Sequence, residues 1–230
     1  MKKYKHLFFD LDHTLWDFDT NAHQTLEELY HIYQLDNHFD SFNHFITLYQ
    51  PGNVSLWEKY RRGAITKQFL NQERFYLPLA EVGYDNRDTA AKIAHDFVNN
   101  SPLKTQLLPY AIEILDYLKP KYTLHIITNG FRETQQKKLE NSGLMPYFTK
   151  VFISELVGFQ KPDRAFFDYA IKSCNARKVQ SLVIGDSLEA DIMGAARAGI
   201  DTVYFNPEAV SHQQSTTFEI SNLKELRQIL

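Results

Sequence analysis

Short apolar runs alternate with helix-period stretches over most of this chain. Leu7-Phe8-Phe9, Leu124-His125-Ile126-Ile127, Val151-Phe152-Ile153, Leu182-Val183-Ile184 and Thr202-Val203-Tyr204-Phe205 each read as a buried strand. Between them, Ile112, Leu115 and Leu118 mark one helix, and Phe166, Phe167, Ala170 and Ile171 mark another. Gly143 and Gly199 stand where a left-handed residue closes a helix. A last helix is predicted over Leu223 to Leu230, capped by Ser221 or Asn222. Near-continuous apolar strands separated by helices predict an α/β fold, a doubly wound parallel sheet covered on both faces.

The pattern changes between the first strand and Leu124. From Trp16 to about Thr105 there is no strand-period alternation. Leu26, Leu29, Tyr30 and Tyr33 fall on one helical stripe, and Phe69, Phe75 and Tyr76 belong to another helical segment. An unstructured loop of this length is implausible inside a compact domain. A helical insertion is therefore expected over residues 16–105, with residues 1–15 and 106–230 forming the α/β core. Fifteen of the 32 aromatic residues lie between Trp16 and Phe97, enough to give a small helical bundle an aromatic core.

Composition narrows the partners. Lys plus Arg number 25 against 28 Asp plus Glu, so the net charge is −3 and no basic footprint invites a nucleic acid polymer. Cys174 is the single cysteine; an intrachain disulfide is impossible, a reducing and cytoplasmic setting is expected, and the thiol reads as a small apolar filler. No apolar run is long enough to span a membrane. The basic start ending in Leu7-Phe8-Phe9 is cut off by Asp10, too short for a secretory signal. The nine histidines show no zinc-ligand spacing backed by cysteines. The expected assembly is a monomer or a weak homodimer.

Three strands end on a polar residue that their apolar runs do not explain: Asp10, Thr128 and Asp186. In a parallel sheet all carboxyl ends lie along one edge, where ligands bind, so these residues are expected to converge. Asp10-Leu11-Asp12-His13-Thr14 sets two carboxylates two residues apart, and Asp186 and Asp191 add two more. That much negative charge is costly unless a cation sits with it. A hard divalent ion with oxygen ligands, Mg²⁺ first, is the expected compensation. Lys161 is the candidate fixed positive charge, and Thr128 and Asn129 supply hydroxyl and amide donors. Such a site favours a phosphate. Phosphoryl transfer asks mainly for positioning and charge stabilisation. One carboxylate can accept the phosphoryl group and a second can protonate the leaving oxygen, then deprotonate the water that clears the intermediate. Asp10 and Asp12 supply such a pair.

Asp10-x-Asp12-x-Thr14, Thr128-Asn129, Lys161-Pro162 and Gly185-Asp186-Ser187-x-x-x-Asp191 resemble the four ordered motifs of the haloacid dehalogenase superfamily of phosphatases. The resemblance implies a Rossmann-like core, Asp10 as nucleophile and Asp12 as general acid/base. It also implies Mg²⁺ held by Asp10, the Asp12 backbone carbonyl and Asp186, with Asp191 behind them or acting through water. Thr128 and Lys161 would serve the phosphoryl group. The insertion matches that superfamily's helical cap in position. His13 stands where many relatives carry Gly, Asn or Glu.

A narrower resemblance lies in Leu56-Trp57-x-x-Tyr60-x-x-Gly63-Ala64-Ile65-Thr66 followed by Arg74-Phe75, and in Ile127-Thr128-Asn129-Gly130-Phe131. Ser154-Glu155-x-Val157-Gly158-x-x-Lys161-Pro162 agrees with it. These are similar to pyrimidine 5′-nucleotidases acting on non-canonical nucleotides. The implied reaction is hydrolysis of a pyrimidine nucleoside 5′-monophosphate through an aspartyl-phosphate. Trp57 and Tyr60 are candidates to stack on the base; Arg61, Arg62 and Arg74 are expected at the surface. The alternatives are a phosphatase of another small metabolite such as a sugar phosphate or phosphoglycolate, a phosphomutase, and a non-catalytic binding or regulatory module.

Overall fold

The computed structural model describes residues 3–230. Its strands are β1 (His6–Phe9), β2 (Thr123–Thr128), β3 (Lys150–Ile153), β4 (Ser181–Gly185), β5 (Asp201–Phe205) and β6 (Phe218–Ile220). They form one sheet in the order β3-β2-β1-β4-β5-β6, and every pairing is parallel. The first five coincide with the apolar runs. The sixth has only Phe218 and Ile220 to mark it, too few for a periodic signal.

Helices α1 (Phe18–Ile32), α2 (Phe42–Arg61), α3 (Lys67–Glu81) and α4 (Arg87–Asn100) follow β1, and α5 (Ala111–Leu118) precedes β2. Then come α6 (Arg132–Asn141), α7 (Ser154–Val157), α8 (Arg164–Ser173), α9 (Gly194–Arg197) and α10 (Leu226–Ile229). The predicted terminal helix is interrupted. Leu223–Glu225 is a 3₁₀ turn ahead of α10, and Asn222 and Glu225 close a reciprocal capping box at its start.

Strand side chains alternate faces. Leu7, Phe9, Leu124, Ile126, Leu182 and Ile184 pack with Ile114, Leu115 and Leu118 of α5 and Leu226 of α10. Phe8, Ile127, Phe152 and Val183 face Phe166, Phe167 and Ala170 of α8 and Ala195 of α9. The sheet is covered on both sides, as doubly wound sheets require.

Backbone contacts divide the chain into two compact units. The first takes the chain up to Asp19 together with Lys104–Leu230; the second is Thr20–Leu103. Residues 16–19, expected in the insertion, belong with the first unit. Trp16 is fully buried in the sheet core, the Leu108 amide donates to the Leu15 carbonyl at 2.9 Å, and the Asp17 amide donates to the Gln106 carbonyl at 3.1 Å.

The second unit is helical. Ser41, Thr66 and Asn86 cap α2, α3 and α4 through side-chain oxygens. Its core is aromatic, with Tyr49–Phe75 at 5.3 Å and Phe75–Phe97 at 5.5 Å between ring centroids. Phe69, Phe75 and Tyr76 all lie in α3 as expected, with Leu70 and Phe75 on its buried stripe and Phe69 exposed; the expectation for Arg74 is corrected. Arg61 and Arg62 are exposed, but Arg74 is buried; its guanidinium lies over the rings of Phe97 at 4.8 Å and Phe75 at 5.2 Å. Ring quadrupoles and the Tyr49 hydroxyl compensate the charge there.

Within the first unit, β2 buries His125. Its Nε2 is 3.2 Å from His6 Nδ1, its Nδ1 is 3.6 Å from Cys174 Sγ, and it stacks on Phe8 at 4.8 Å. Burial, with His6 and Lys150 adding like charge, lowers its pKa from 6.5 to about 4. The unfolded chain therefore takes up this proton first as pH falls. The stabilisation is complete above pH 6.5 and lost on the way down to about pH 4. Thermal melts across that window should show wild type losing stability relative to His125→Phe as the medium is acidified. Parallel curves for the two proteins would contradict this account.

Candidate active site

The sheet order puts β1 between β2 and β4, and the register sets Phe9 level with Ile126 and Ile184. The residues just beyond these points share one carboxyl edge. The Asp10 amide donates to the Ile184 carbonyl at 2.9 Å, so Asp10 leaves β1 alongside Gly185 and next to Asp186.

There the carboxylate oxygens of Asp10, Asp186 and Asp191 lie within 4.8 Å of one another. Asp191 comes from the π-helical turn Leu188–Met193, which Ser187 caps by accepting from the Ala190 amide. It is fully buried, and its Oδ2 accepts from the Ser187 amide at 3.1 Å. Lys161 Nζ, also buried, donates to Asp10 Oδ1 at 2.8 Å, to Asp191 Oδ1 at 2.6 Å and to the Ile127 carbonyl at 3.2 Å. Thr14 Oγ1 donates to Asp186 Oδ1 at 2.8 Å. The expected convergence of Asp10, Lys161, Asp186 and Asp191 is therefore present, with Asp191 inside the cluster.

The charges do not balance. Burial raises the pKa of Asp10 well above the carboxylate range; Lys161 opposes this, and Asp191 and Asp186 add to it. Asp186 is raised to about 6 by burial and by Asp191, against the pull of His13. On Lys161 burial works downward, but Asp10 and Asp191 outweigh it and the ammonium is held more firmly. One ammonium bonds two of the three carboxylates, His13 opposes the rise on the third, and every offered ligand atom is a hard oxygen. That donor set fits a hard divalent cation.

Asp12 faces elsewhere. Its Oδ1 accepts from Lys138 Nζ at 2.6 Å and its Oδ2 from Gln135 Nε2 at 2.7 Å, both from α6. Burial would raise its pKa; the Lys138 charge and the bonds from Lys138 and Gln135 overcome that and hold it below the ordinary range. Thr128 is buried at the end of β2, and its Oγ1 accepts from the Gly130 amide at 3.0 Å and Gln135 Nε2 at 2.9 Å. Asn129 turns its amide to the main chain of Lys161, donating to the carbonyl at 2.7 Å and accepting from the amide at 2.9 Å. Both ends of its side-chain amide are thus bonded to the main chain of Lys161. Trp57 and Tyr60 lie half-buried on α2 in the second unit, edge to face at 5.8 Å.

Three residues were not singled out for a role. Gln135 and Lys138 are buried beside Leu139 on α6, a helix whose sequence is otherwise polar and carries no signal for which polar residues face inward. His13 adopts φ 60°, the left-handed region that favours Gly or Asn. Burial lowers its pKa, but Asp19, Asp186 and Asp12 raise it to about 9. A cleft of about 480 Å³ opens beside it in the first unit, lined by His13, Phe18, Leu108, Asp186, Tyr204 and Asn206 among others. That volume suits a small molecule.

A model of the haloacid dehalogenase-like hydrolase family matches residues 4–199. The chain belongs to this family. Among the relatives of this hydrolase, the HAD-hydrolase YfnB of Bacillus subtilis is 34% identical over 233 residues, covering 100% of this chain and 97% of that protein. A crystal structure of YfnB, described as bound to magnesium and as revealing interdomain movement, superposes with a TM-score of 0.88 at 33% identity over 99% of both chains. The pyrimidine 5′-nucleotidase PynA of Streptococcus pneumoniae is 35% identical over 97% of this chain and 93% of its own length. The pyrimidine 5′-nucleotidase YjjG of Escherichia coli is 33% identical over 99% and 98%.

Gly185 lets the cluster form. A Cβ there would meet Asp191 Oδ2 at 2.4 Å, Cγ at 2.5 Å and Cβ at 2.7 Å, so the whole side chain of Asp191 would have to move. Gly185→Ala is expected to cost about 1–3 kcal/mol by overpacking. Urea unfolding of the variant beside wild type checks this; an unchanged midpoint would show that Asp191 has room to spare.

Proposed function

We propose that this hydrolase is a Mg²⁺-dependent phosphatase that cleaves a phosphate monoester through an aspartyl-phosphate on Asp10, with a pyrimidine nucleoside 5′-monophosphate as substrate. The observation that carries the reading is the cluster of three carboxylates around one ammonium at the end of β1. The full-length similarity to PynA and YjjG supports the substrate class. The helical unit Thr20–Leu103 is, in this reading, the cap that the motif resemblance implies.

Asp10, Asp186 and the Asp12 carbonyl would hold the metal, with Asp191 beside them. When bound it would supply positive charge that keeps Asp10 ionised and offsets the charge of the phosphate. The Asp10 carboxylate attacks phosphorus and the bond to the leaving oxygen breaks; Asp12 gives that oxygen a proton. Asp12 then takes a proton from water, which attacks phosphorus and breaks the aspartyl ester, releasing phosphate and restoring Asp10. Asp12 starts ionised beside Lys138; an arriving phosphate dianion raises its pKa by like-charge repulsion, and it takes from solvent the proton that it then gives to the leaving oxygen. Lys161 anchors Asp10 and stands ready to offset phosphoryl charge. Thr128 accepts twice at its hydroxyl oxygen, which leaves the hydroxyl hydrogen for a phosphoryl oxygen.

The protein incubated with Mg²⁺ and a panel of nucleoside monophosphates and sugar phosphates should release phosphate from pyrimidine nucleotides and stop on chelation. Release from sugar phosphates alone would remove the substrate assignment, and little free phosphate from any ester would favour a mutase or a binding module. Asp10→Asn should reduce turnover about a thousandfold or more while the protein stays folded. Retained turnover would mean that another group is the nucleophile.

A further inference from the structure

We propose that Gln135 and Lys138, three residues apart on α6, are positioning residues that hold both oxygens of Asp12 and fix the hydroxyl of Thr128. The inference rests on the reading of Asp12 as acid/base and of Thr128 as a phosphate donor.

Helix α6 buries only Gln135, Lys138 and Leu139. A helix docked for packing alone would present apolar groups there, because burying an amide or an ammonium is unfavourable unless its bonds are made. Here the donor nitrogens converge on one carboxylate, although Gln135 Oε1 is buried with no hydrogen-bond partner. Lys138 Nζ and Gln135 Nε2 each take one oxygen of the Asp12 carboxylate, at 2.6 and 2.7 Å. Neither donor has freedom to wander. Lys138 Nζ lies over the Trp16 ring at 4.0 Å and the Phe18 ring at 5.1 Å, so aromatic faces wall it in. Gln135 fills the space left by Gly130, where a Cβ would come within 1.6 Å of its Nε2.

Gln135 does a second thing. A carboxylate only accepts, so the amide nitrogen must face Asp12, and its other hydrogen goes to Thr128 Oγ1. With the Gly130 amide on the same oxygen, Thr128 is left as a donor only. One side chain therefore couples the group at the leaving oxygen to a group at the phosphoryl end. Lys138 acts on Asp12 alone.

That difference gives the test. The quantity kcat/KM covers the steps through departure of the leaving group. p-Nitrophenolate departs without a proton, whereas the 5′-oxygen of a nucleoside needs one from Asp12. In the full-length protein with Mg²⁺, Lys138→Met should lower kcat/KM for a nucleoside 5′-monophosphate about a hundredfold. For p-nitrophenyl phosphate the loss should stay within about threefold, because only the acid is misplaced. Lys138→Arg should recover most of the nucleotide activity. Gln135→Met, which leaves every charge in place, should lower both substrates, the nucleotide by about tenfold more. Equal losses on the two substrates in both Lys138→Met and Gln135→Met would mean a structural role only, and undiminished rates would mean none. If Lys138→Met fails to fold, the substrate ratio in Gln135→Met decides. No phosphate release by wild type from either ester would instead overturn the phosphatase reading, and this inference with it.

Discussion

The site is governed by an unpaid electrostatic imbalance: three carboxylates crowd the carboxyl edge of the sheet with one ammonium among them. Lys161 bonds to Asp10 and Asp191 together, while Asp186 has only the His13 charge and the Thr14 hydroxyl to oppose the rise in its pKa. A purely structural ion pair would match one charge with one, or replace both with apolar groups at little cost. The excess persists because parallel pairing delivers Asp10 and Asp186 from adjacent strands, and the turn after β4 folds Asp191 back onto them. The arrangement is stored as raised carboxylate pKa values, and a cation is the group that relieves it.

Small residues and one left-handed turn make room for this. Gly185 admits Asp191 and Gly130 admits Gln135, each at distances that a methyl group would occupy. His13 carries the chain through φ 60°, so that Asp12 and Thr14 can depart from β1 toward different partners, Lys138 and Asp186. Asn129 ties the end of β2 to the main chain of Lys161, which keeps the ammonium in register with β1. The backbone geometry and the charge geometry are one design. Neither Gly185 nor Gly130 can gain a side chain without displacing a polar group of the site.

How much of this was legible follows from what each signal depends on. The five long strands and the polar residues that end three of them are local patterns, and strand pairing turned them into a shared edge without further information. β6 was invisible because three residues cannot establish a period. Arg74 was misjudged because charge predicts exposure unless a partner is known, and its partners Phe75 and Phe97 are aromatic faces on two helices. Gln135 and Lys138 were missed for a related reason. Their role exists only relative to Asp12, more than a hundred residues away, and nothing in a polar helix says which of its polar residues face inward.

Asp10 and Asp12 are the same residue type, two positions apart, and both are pushed upward by burial; yet Asp10 is raised and Asp12 lowered. The difference is the number of carboxylates per cation. Asp10 shares Lys161 with Asp191 and feels Asp186 as well, whereas Asp12 has Lys138 with a second donor in Gln135. Environments that drive neighbouring carboxyl groups apart are how one pair of identical side chains takes two roles. Here the split is set by two lysines on separate elements. Lys161 follows β3 and stands with the crowded group; Lys138 rides on α6 and stands with the solitary one. A carboxylate left short of positive charge is suited to a metal. A neighbour already supplied with its own cation stays out of that competition.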